Sequence, residues 1–258
     1  MTGEQLKKSI LQYAIEGKLV PQDDKEEPAS ILIEKIREEK ERLIKEKVIK
    51  RDKEESFIYR KDGSFYEKIG KEEKCIDDEL PFDIPDSWEW ARLGNIINFK
   101  IGKTPKRVEN NLWESGVYPW VSIADMISDG IIKETKEKVS EKAYHEVFGG
   151  NISKKGTLIM SFKLTIGRVS ILDIDAFHNE AIISIYPLYD KKNIFRNYLM
   201  KILPLISESG NSKSAIKGKT LNSESIKTLL IPIPSLLEQE RIVAKIEEVL
   251  AKVEKLKS

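Results

Sequence analysis

A single cysteine, Cys75, rules out an internal disulfide, and two histidines, His145 and His178, with no cysteine spaced beside them leave no zinc-type ligand pattern. Both scarcities fit the interior of a cell. No apolar run approaches the roughly 20 residues that span a bilayer, and the opening MTGEQLKKSILQ has no apolar signal core. The expectation is a soluble, cytoplasmic protein with no membrane partner. Pro-Pro occurs nowhere, which removes the Asn/Asp-Pro-Pro-aromatic motif of methyltransferases acting on base nitrogens, and no Gly-rich cofactor loop accompanies it. Gly-Lys-Thr occurs twice, at 102 to 104 and 218 to 220. A phosphate-cradling P-loop also needs an upstream glycine, and Ile97 and Lys213 hold those two positions.

Other catalytic signatures are equally incomplete. Ser214 to Lys217 fits Ser-x-x-Lys without the Ser-Asp-Asn and Lys-Thr-Gly elements that work with it. Stretches such as EKIREEK place carboxylates beside lysines, as any solvated helix rich in both does. Neither histidine has a Ser or Cys nucleophile nearby in sequence, so an ordinary hydrogen-bonded role is expected for each. The sequence therefore predicts no catalytic residues, no metal site and no cofactor held by this chain.

What is abundant is charge, at 34% of residues, nearly balanced at a formal +1. Its distribution is uneven. Lys and Arg against Asp and Glu number 19 to 24 in residues 1 to 94, 20 to 14 in residues 95 to 235, and 5 to 5 in residues 236 to 258. A basic middle beside acidic or neutral flanks suits a chain that meets nucleic acid with one part only, although charge on this scale also simply solvates a surface.

Periodicity divides the chain in the same way. Leu6, Ile10 and Ala14 recur at helical spacing from Glu4 to about Gly17, which ends the helix. Pro28 suits the first turn of a second helix carrying Ile31, Leu32, Ile36, Leu43 and Val48 to about Lys50. These two form the expected helical hairpin or coiled-coil arm, residues 1 to 50. Residues 51 to 79 read as a polar connection with a possible hairpin at Asp62-Gly63. From 80 to 235 short β-rich runs, GVYPWVSI, GTLIMSF, GRVSIL and AIISIYPL, alternate with turn residues, and FRNYLMKILPLIS reads as helix up to Pro204. In residues 236 to 258, Ile242, Ile246, Val249, Val253 and Leu256 form a heptad seam too short to be stable alone. The fold class expected is α+β, a mixed, strand-rich domain flanked by an N-terminal helical hairpin and a C-terminal coiled-coil helix.

Three basic clusters mark the middle domain. They are Lys100, Lys103, Lys106 and Arg107; Lys163 and Arg168; and Lys213, Lys217 and Lys219. Each lies among Gly, Ser or Thr, which let a backbone approach a phosphate and add hydroxyl donors such as Thr104 and Thr220. Trp113, Trp120, Phe148 and Phe162 are interleaved, either as core or as contact surface.

LPFDIPDSWEWARLGNI, IGKTP, GTLIMSFKLTIGRVSI and above all KTLNSESIKTLLIPIPSLLEQERIVAKIEEVL resemble the specificity subunits of type I restriction-modification enzymes, as does LKKSILQYAIEGKLVPQDDKEEPASILIEKIREEK. The resemblance implies a non-catalytic target recognition domain at residues 80 to 235. It implies double-stranded DNA as ligand and methyltransferase subunits as partners, with or without a restriction subunit. S-adenosylmethionine, ATP and magnesium would reside on those partners. Typical members carry two recognition domains separated by long helices, whereas one is visible here, which suggests a homodimer reading a bipartite site. Lys103, Thr104, Arg107, Lys217 and Lys219 are then the expected phosphate contacts, with Lys100, Lys106, Lys163, Arg168, Lys213 and Thr220 beside them. Leu6, Ile10, Leu32, Ile36 and Leu43 join the C-terminal seam as the dimer and partner surface. Two alternatives stay open: a regulatory half-subunit that exchanges with a full-length one, and a nuclease or methyltransferase of unfamiliar motif.

Overall fold

A computed structural model describes residues 2–52, 55–163, 165–209 and 221–255. The chain opens with α1 (Gly3–Ile15), where Thr2 and Gln5 cap each other reciprocally and Gly17, at φ +70°, turns the chain out of the helix. Next is α2 (Ala29–Lys45). Pro28 is its N-cap residue and not part of the first turn, and the helix stops five residues short of Lys50. Residues 51 to 79 hold more than a connection. Strands β1 (Ser56–Lys61), β2 (Ser64–Ile69) and β3 (Glu72–Cys75) form an antiparallel meander. Asp62 and Gly63 both take positive φ, the geometry of the tight hairpin turn that joins β1 to β2.

Strand β4 (Glu89–Arg92) leads into the short α3 (Leu93–Ile96) and β5 (Ile97–Ile101). Then follow β6 (Tyr118–Val121), β7 (Gly130–Ile132), β8 (Glu137–Val139) and α4 (Glu141–Glu146). Next come β9 (Leu158–Ser161), β10 (Val169–Leu172), β11 (Phe177–His178) and β12 (Ile182–Pro187). The chain closes through α5 (Ile194–Ser209), α6 (Ser223–Lys227), β13 (Leu230–Ile233) and α7 (Leu236–Lys255). Helix α5 runs through Pro204 instead of ending there. All four β-rich runs read from the sequence are strands, β6, β9, β10 and β12. The α+β class stands.

Contacts gather these elements into two units. Of the described residues, one unit comprises those up to Asn98, 187–209 and 223–255; the other is Phe99–Tyr186 with 221 and 222. These units differ from the span of 80 to 235 read in the sequence, because β4 and β13, both inside that span, pair with each other and pack with β1 in the unit of the terminal helices. Within the first unit α7 packs on α5 and α1, while α2 packs on α3 and β4. The first two helices therefore serve different layers instead of forming a free-standing hairpin. Ile58, Phe65, Ile76, Trp90 and Leu230 join the meander to the β4–β13 pair in one buried cluster.

The second unit is built on a five-stranded sheet, order β5-β12-β9-β10-β7, and a three-stranded one, order β11-β6-β8. Every residue of β9 is buried, which is why Leu158, Ile159 and Met160 are consecutively apolar and not alternating; the buried Ser161 that follows donates to the Thr165 carbonyl. One core cluster holds Val121, Met126, Ile159, Leu172 and Ile182; another holds Leu112, Trp120, Phe148 and Phe177, with the two phenylalanine rings stacked 3.9 Å apart.

Candidate nucleic-acid interface

The end of β5, the start of β12, the end of β9 and the start of β10 lie along one edge of the five-stranded sheet, so three loops emerge together. Hydrogen bonds join them. The Gly102 N–H donates to the Ile182 carbonyl at 3.0 Å, the Lys103 N–H to that of His178 at 2.9 Å, and the Phe162 N–H to that of Ala181 at 2.9 Å. The loops are 102 to 107, 162 to 168 and 179 to 181. A Cβ built on Gly102 would lie 2.1 Å from the His178 carbonyl and 2.2 Å from that of Asn179. The first Gly-Lys-Thr therefore owes its glycine to a close approach of two backbones.

Side chains at this edge are paired. The Thr104 hydroxyl donates to the Glu180 carboxylate. Arg107 forks onto Glu137, its Nη2 donating at 2.9 Å, and its guanidinium lies 3.8 Å over the Trp113 ring and 5.1 Å from that of Trp120. Lys103 Nζ donates to the Val147 carbonyl at 2.8 Å, and Lys106 pairs with Glu109 at 3.0 Å. Lys163 Nζ sits 5.2 Å over the Phe162 ring. The Thr104 hydrogen bond, aided by the charges of Lys163 and Arg107, holds the Glu180 carboxyl below the usual carboxylate range, so it is ionised at neutral pH.

Thr104, Arg107 and Lys163 are thus brought together around Glu180. Other sequence candidates are placed differently. Lys103 is tied to a carbonyl, and Lys100 lies 5.8 Å over the Tyr186 ring. Arg168 is half-buried with Nη1 donating to the Ile123 carbonyl at 3.3 Å. Lys213, Lys217, Lys219 and Thr220 lie outside the described residues. Of the interleaved aromatics, Trp120, Phe148 and Phe162 are core, and Trp113 is half-buried beneath Arg107. The basic excess of residues 95 to 235 is not spread over the second unit either: residues 99 to 186 carry 12 Lys and Arg against 11 Asp and Glu. Most of that excess lies in residues 187 to 235, with 8 Lys and Arg against 3 Asp and Glu. Sequence reasoning missed Glu137 and Glu180, because a search for cations passes over carboxylates and both stretches, KETKEK and HNEA, lie away from the three basic clusters.

Behind the edge is a cavity of about 420 Å³ reached past Lys100 and Gly102. His178 lines it, hydrogen-bonded through Nε2 to Ser184 Oγ at 2.5 Å, and Ser184 continues to Ser153 Oγ at 2.6 Å. Burial pushes the His178 imidazole down to about 4, so it is neutral at pH 7. These hydroxyls and the imidazole satisfy one another, the role expected for this histidine. Among the described residues no group of three or more His, Cys, Asp or Glu is arranged to hold a metal ion, and no helix is long and apolar enough to cross a membrane.

The first unit accounts for the helix residues. Ile10, Leu32, Ile36, Ile242 and Ile246 are buried within it. Leu6, Leu43, Val249 and Val253 are half-buried, and Leu256 lies outside the described residues. Helix α7 begins at a clasp. Ser235 Oγ accepts from the Glu238 N–H at 3.0 Å and donates to Glu26 at 2.6 Å. Glu238 accepts from Trp88 Nε1 at 2.8 Å and Gln22 Nε2 at 2.5 Å, while Arg241 Nη1 donates to the Pro21 carbonyl at 2.8 Å. The Leu-Glu-Gln-Glu-Arg run thus holds the start of α7 to the α1–α2 connection.

Residues 85–258 match the family described as the type I restriction modification DNA specificity domain. The chain is 38% identical over 138 residues to the type I restriction enzyme EcoAI specificity subunit of Escherichia coli, covering 48% of this chain and 20% of that protein. It is 27% identical over 164 residues to the type I restriction enzyme MjaIX specificity subunit of Methanocaldococcus jannaschii, covering 62% and 37%. The matched part spans well under half the length of these relatives. A solved HsdS subunit from Thermoanaerobacter tengcongensis superposes with a TM-score of 0.51 at 19% identity, covering 69% of this chain and 42% of that one. A chain from a solved type I R-M assembly gives 0.52 at 18% identity, covering 89% and 51%. At those identities the likeness is one of fold.

Proposed function

Because the chain belongs to the type I restriction modification DNA specificity domain family, we propose that it recognises a bipartite double-stranded DNA site and directs methyltransferase subunits to it, contributing address and no chemistry of its own. The observation that carries this reading is the convergence of loops 102 to 107, 162 to 168 and 179 to 181 on one sheet edge. That edge presents cations, a hydroxyl and carboxylates together. Phosphate contacts fix register and base contacts supply sequence, and both kinds of group are present there. S-adenosylmethionine belongs to the methyltransferase partner, and ATP and magnesium to a restriction subunit where one joins.

The bipartite part of the proposal rests on α7. Its apolar stripe leaves the core after Ile246 and continues half-buried through Val249, Leu250 and Val253 among charged residues, the composition of a helix that meets a second helix. Two copies joined there in a two-fold arrangement hold two recognition units at a set spacing. Light scattering on the purified chain, followed by selection from randomised duplexes, tests both levels. A dimer enriching a two-fold symmetric site with a constant unread spacer is expected. A monomer at high concentration would remove the homodimer, and the absence of any enriched sequence, with methyltransferase subunits present, would remove the recognition role.

A further inference from the structure

We propose that Glu180 is a base-reading, specificity-determining residue, whose carboxylate accepts a hydrogen bond from the exocyclic amino group of a cytosine or adenine in the major groove. The inference rests on the DNA-recognition reading above and names the side chain that gives one position of the site its identity.

Three observations lead there. The first is placement: Glu180 is exposed at the tip of the short 179 to 181 loop, where the three loops meet. An exposed carboxylate beside DNA phosphates is repelled, so at a DNA-facing edge it is tolerated where it faces base edges instead. The second is availability. Of the other carboxylates of this edge, Glu137 is engaged by both terminal nitrogens of Arg107, and Glu109 by Lys106. Glu180 is held differently: Thr104 occupies one oxygen, Oε2, and Lys163 and Arg107 act on it through their charge, favouring the ionised form. An ionised carboxylate only accepts hydrogen bonds, and the amino groups of cytosine and adenine are the donors that bases show in the major groove. Guanine O6 and N7 and thymine O4 would face it acceptor to acceptor.

The third is rigidity, which a base reader needs more than a phosphate contact does. The Asn179 N–H donates to the Val121 carbonyl at 3.0 Å, and the Ala181 N–H donates to Asn179 Oδ1 at 3.0 Å. With the Phe162 N–H bound to the Ala181 carbonyl, the loop is anchored on both sides of Glu180. Thr104 then restricts the side chain from above.

The test is selection from a library of randomised double-stranded duplexes with the full chain and with its Glu180→Ala, Glu180→Gln and Thr104→Val variants, alongside titrations at several salt concentrations. The expected result for Glu180→Ala is loss of preference at one cytosine or adenine position, on the order of tenfold in discrimination, with the other positions and the salt slope retained. Glu180→Gln should favour adenine at that position, since a side-chain amide pairs with adenine N6 and N7. Thr104→Val should weaken the same position and no other. If wild-type protein enriches a sequence and both Glu180 variants enrich the same one with equal discrimination, or lose affinity uniformly for all sequences, Glu180 is not a reader. If wild-type protein enriches nothing, the recognition reading itself has failed.

Discussion

Gly102 packs against His178 so closely that no side chain fits at position 102. A methyl group at position 102 would meet two carbonyl oxygens and the imidazole Nδ1 within 2.3 Å, and none of these is a flexible side-chain end. Gly102→Ala should therefore destabilise the protein by roughly 1–3 kcal/mol through overpacking, read as a lowered midpoint in denaturant. An unchanged midpoint would mean that the 102 to 107 loop yields freely. His178 gives a pH signature. Its folded value, about 4, lies below the ordinary 6.5, so the unfolded chain binds a proton the folded chain refuses. Stability is complete above 6.5 and falls as pH drops towards 4, by up to on the order of 3 kcal/mol. Denaturant melts at pH 7 and pH 5 should separate for the wild-type protein and separate less for His178→Asn.

Among the elements, α7 changes character along its length. Ile242 and Ile246 are buried against the rest of the first unit, whereas Val249, Leu250 and Val253 are half-buried among charges. Ile246→Ala should cost about 2–5 kcal/mol of folding stability, the range for truncating a buried aliphatic side chain. On the proposed two-fold pairing through α7, Val253→Glu should leave the melting midpoint nearly unchanged while lowering the molar mass seen by light scattering. Retention of a dimer by Val253→Glu would move the self-contact elsewhere. The start of the helix shows tertiary context overriding a local rule. Ser235-Leu-Leu-Glu238 is a capping-box sequence, yet the Glu238 side chain reaches Trp88 and Gln22, which fixes the start of α7 to a distant segment.

For the whole molecule, the near-balance of charge in residues 99 to 186 means that the proposed DNA contact would draw there on a few local cations and not on a broad basic field. Those cations are not equal. Arg107 is already neutralised by Glu137, while Lys163 rests over Phe162. Lys163→Ala should weaken binding to all duplexes alike and reduce the slope of log K against log salt by roughly one. Arg107→Ala should reduce the slope by less, because binding a phosphate requires Arg107 to give up a carboxylate it already holds. Equal slopes for the two variants would contradict that exchange.

The sequence by itself determined the α+β class, the four β-rich strands of the second unit, the hairpin turn at Asp62-Gly63 and the want of a complete catalytic motif. These are local properties: short β-rich runs, turn chemistry and motif spacing are written in neighbouring residues. It also indicated the heptad stripe of α7, but not which part of it is buried. Tertiary structure alone decided the rest. Packing joined β4 and β13, both read as part of the middle domain, to the meander and the terminal helices, and it set α1 on α5 and α7 but α2 on α3 and β4. Three loops distant in sequence met at one edge because the strands that precede and follow them are neighbours in a sheet. That meeting put Glu137 and Glu180 among the cations, pairing Arg107 with Glu137 and Thr104 with Glu180, while Lys103 is turned onto the Val147 carbonyl. No pattern within one segment records such partners, since a charge's role depends on what the fold sets opposite it.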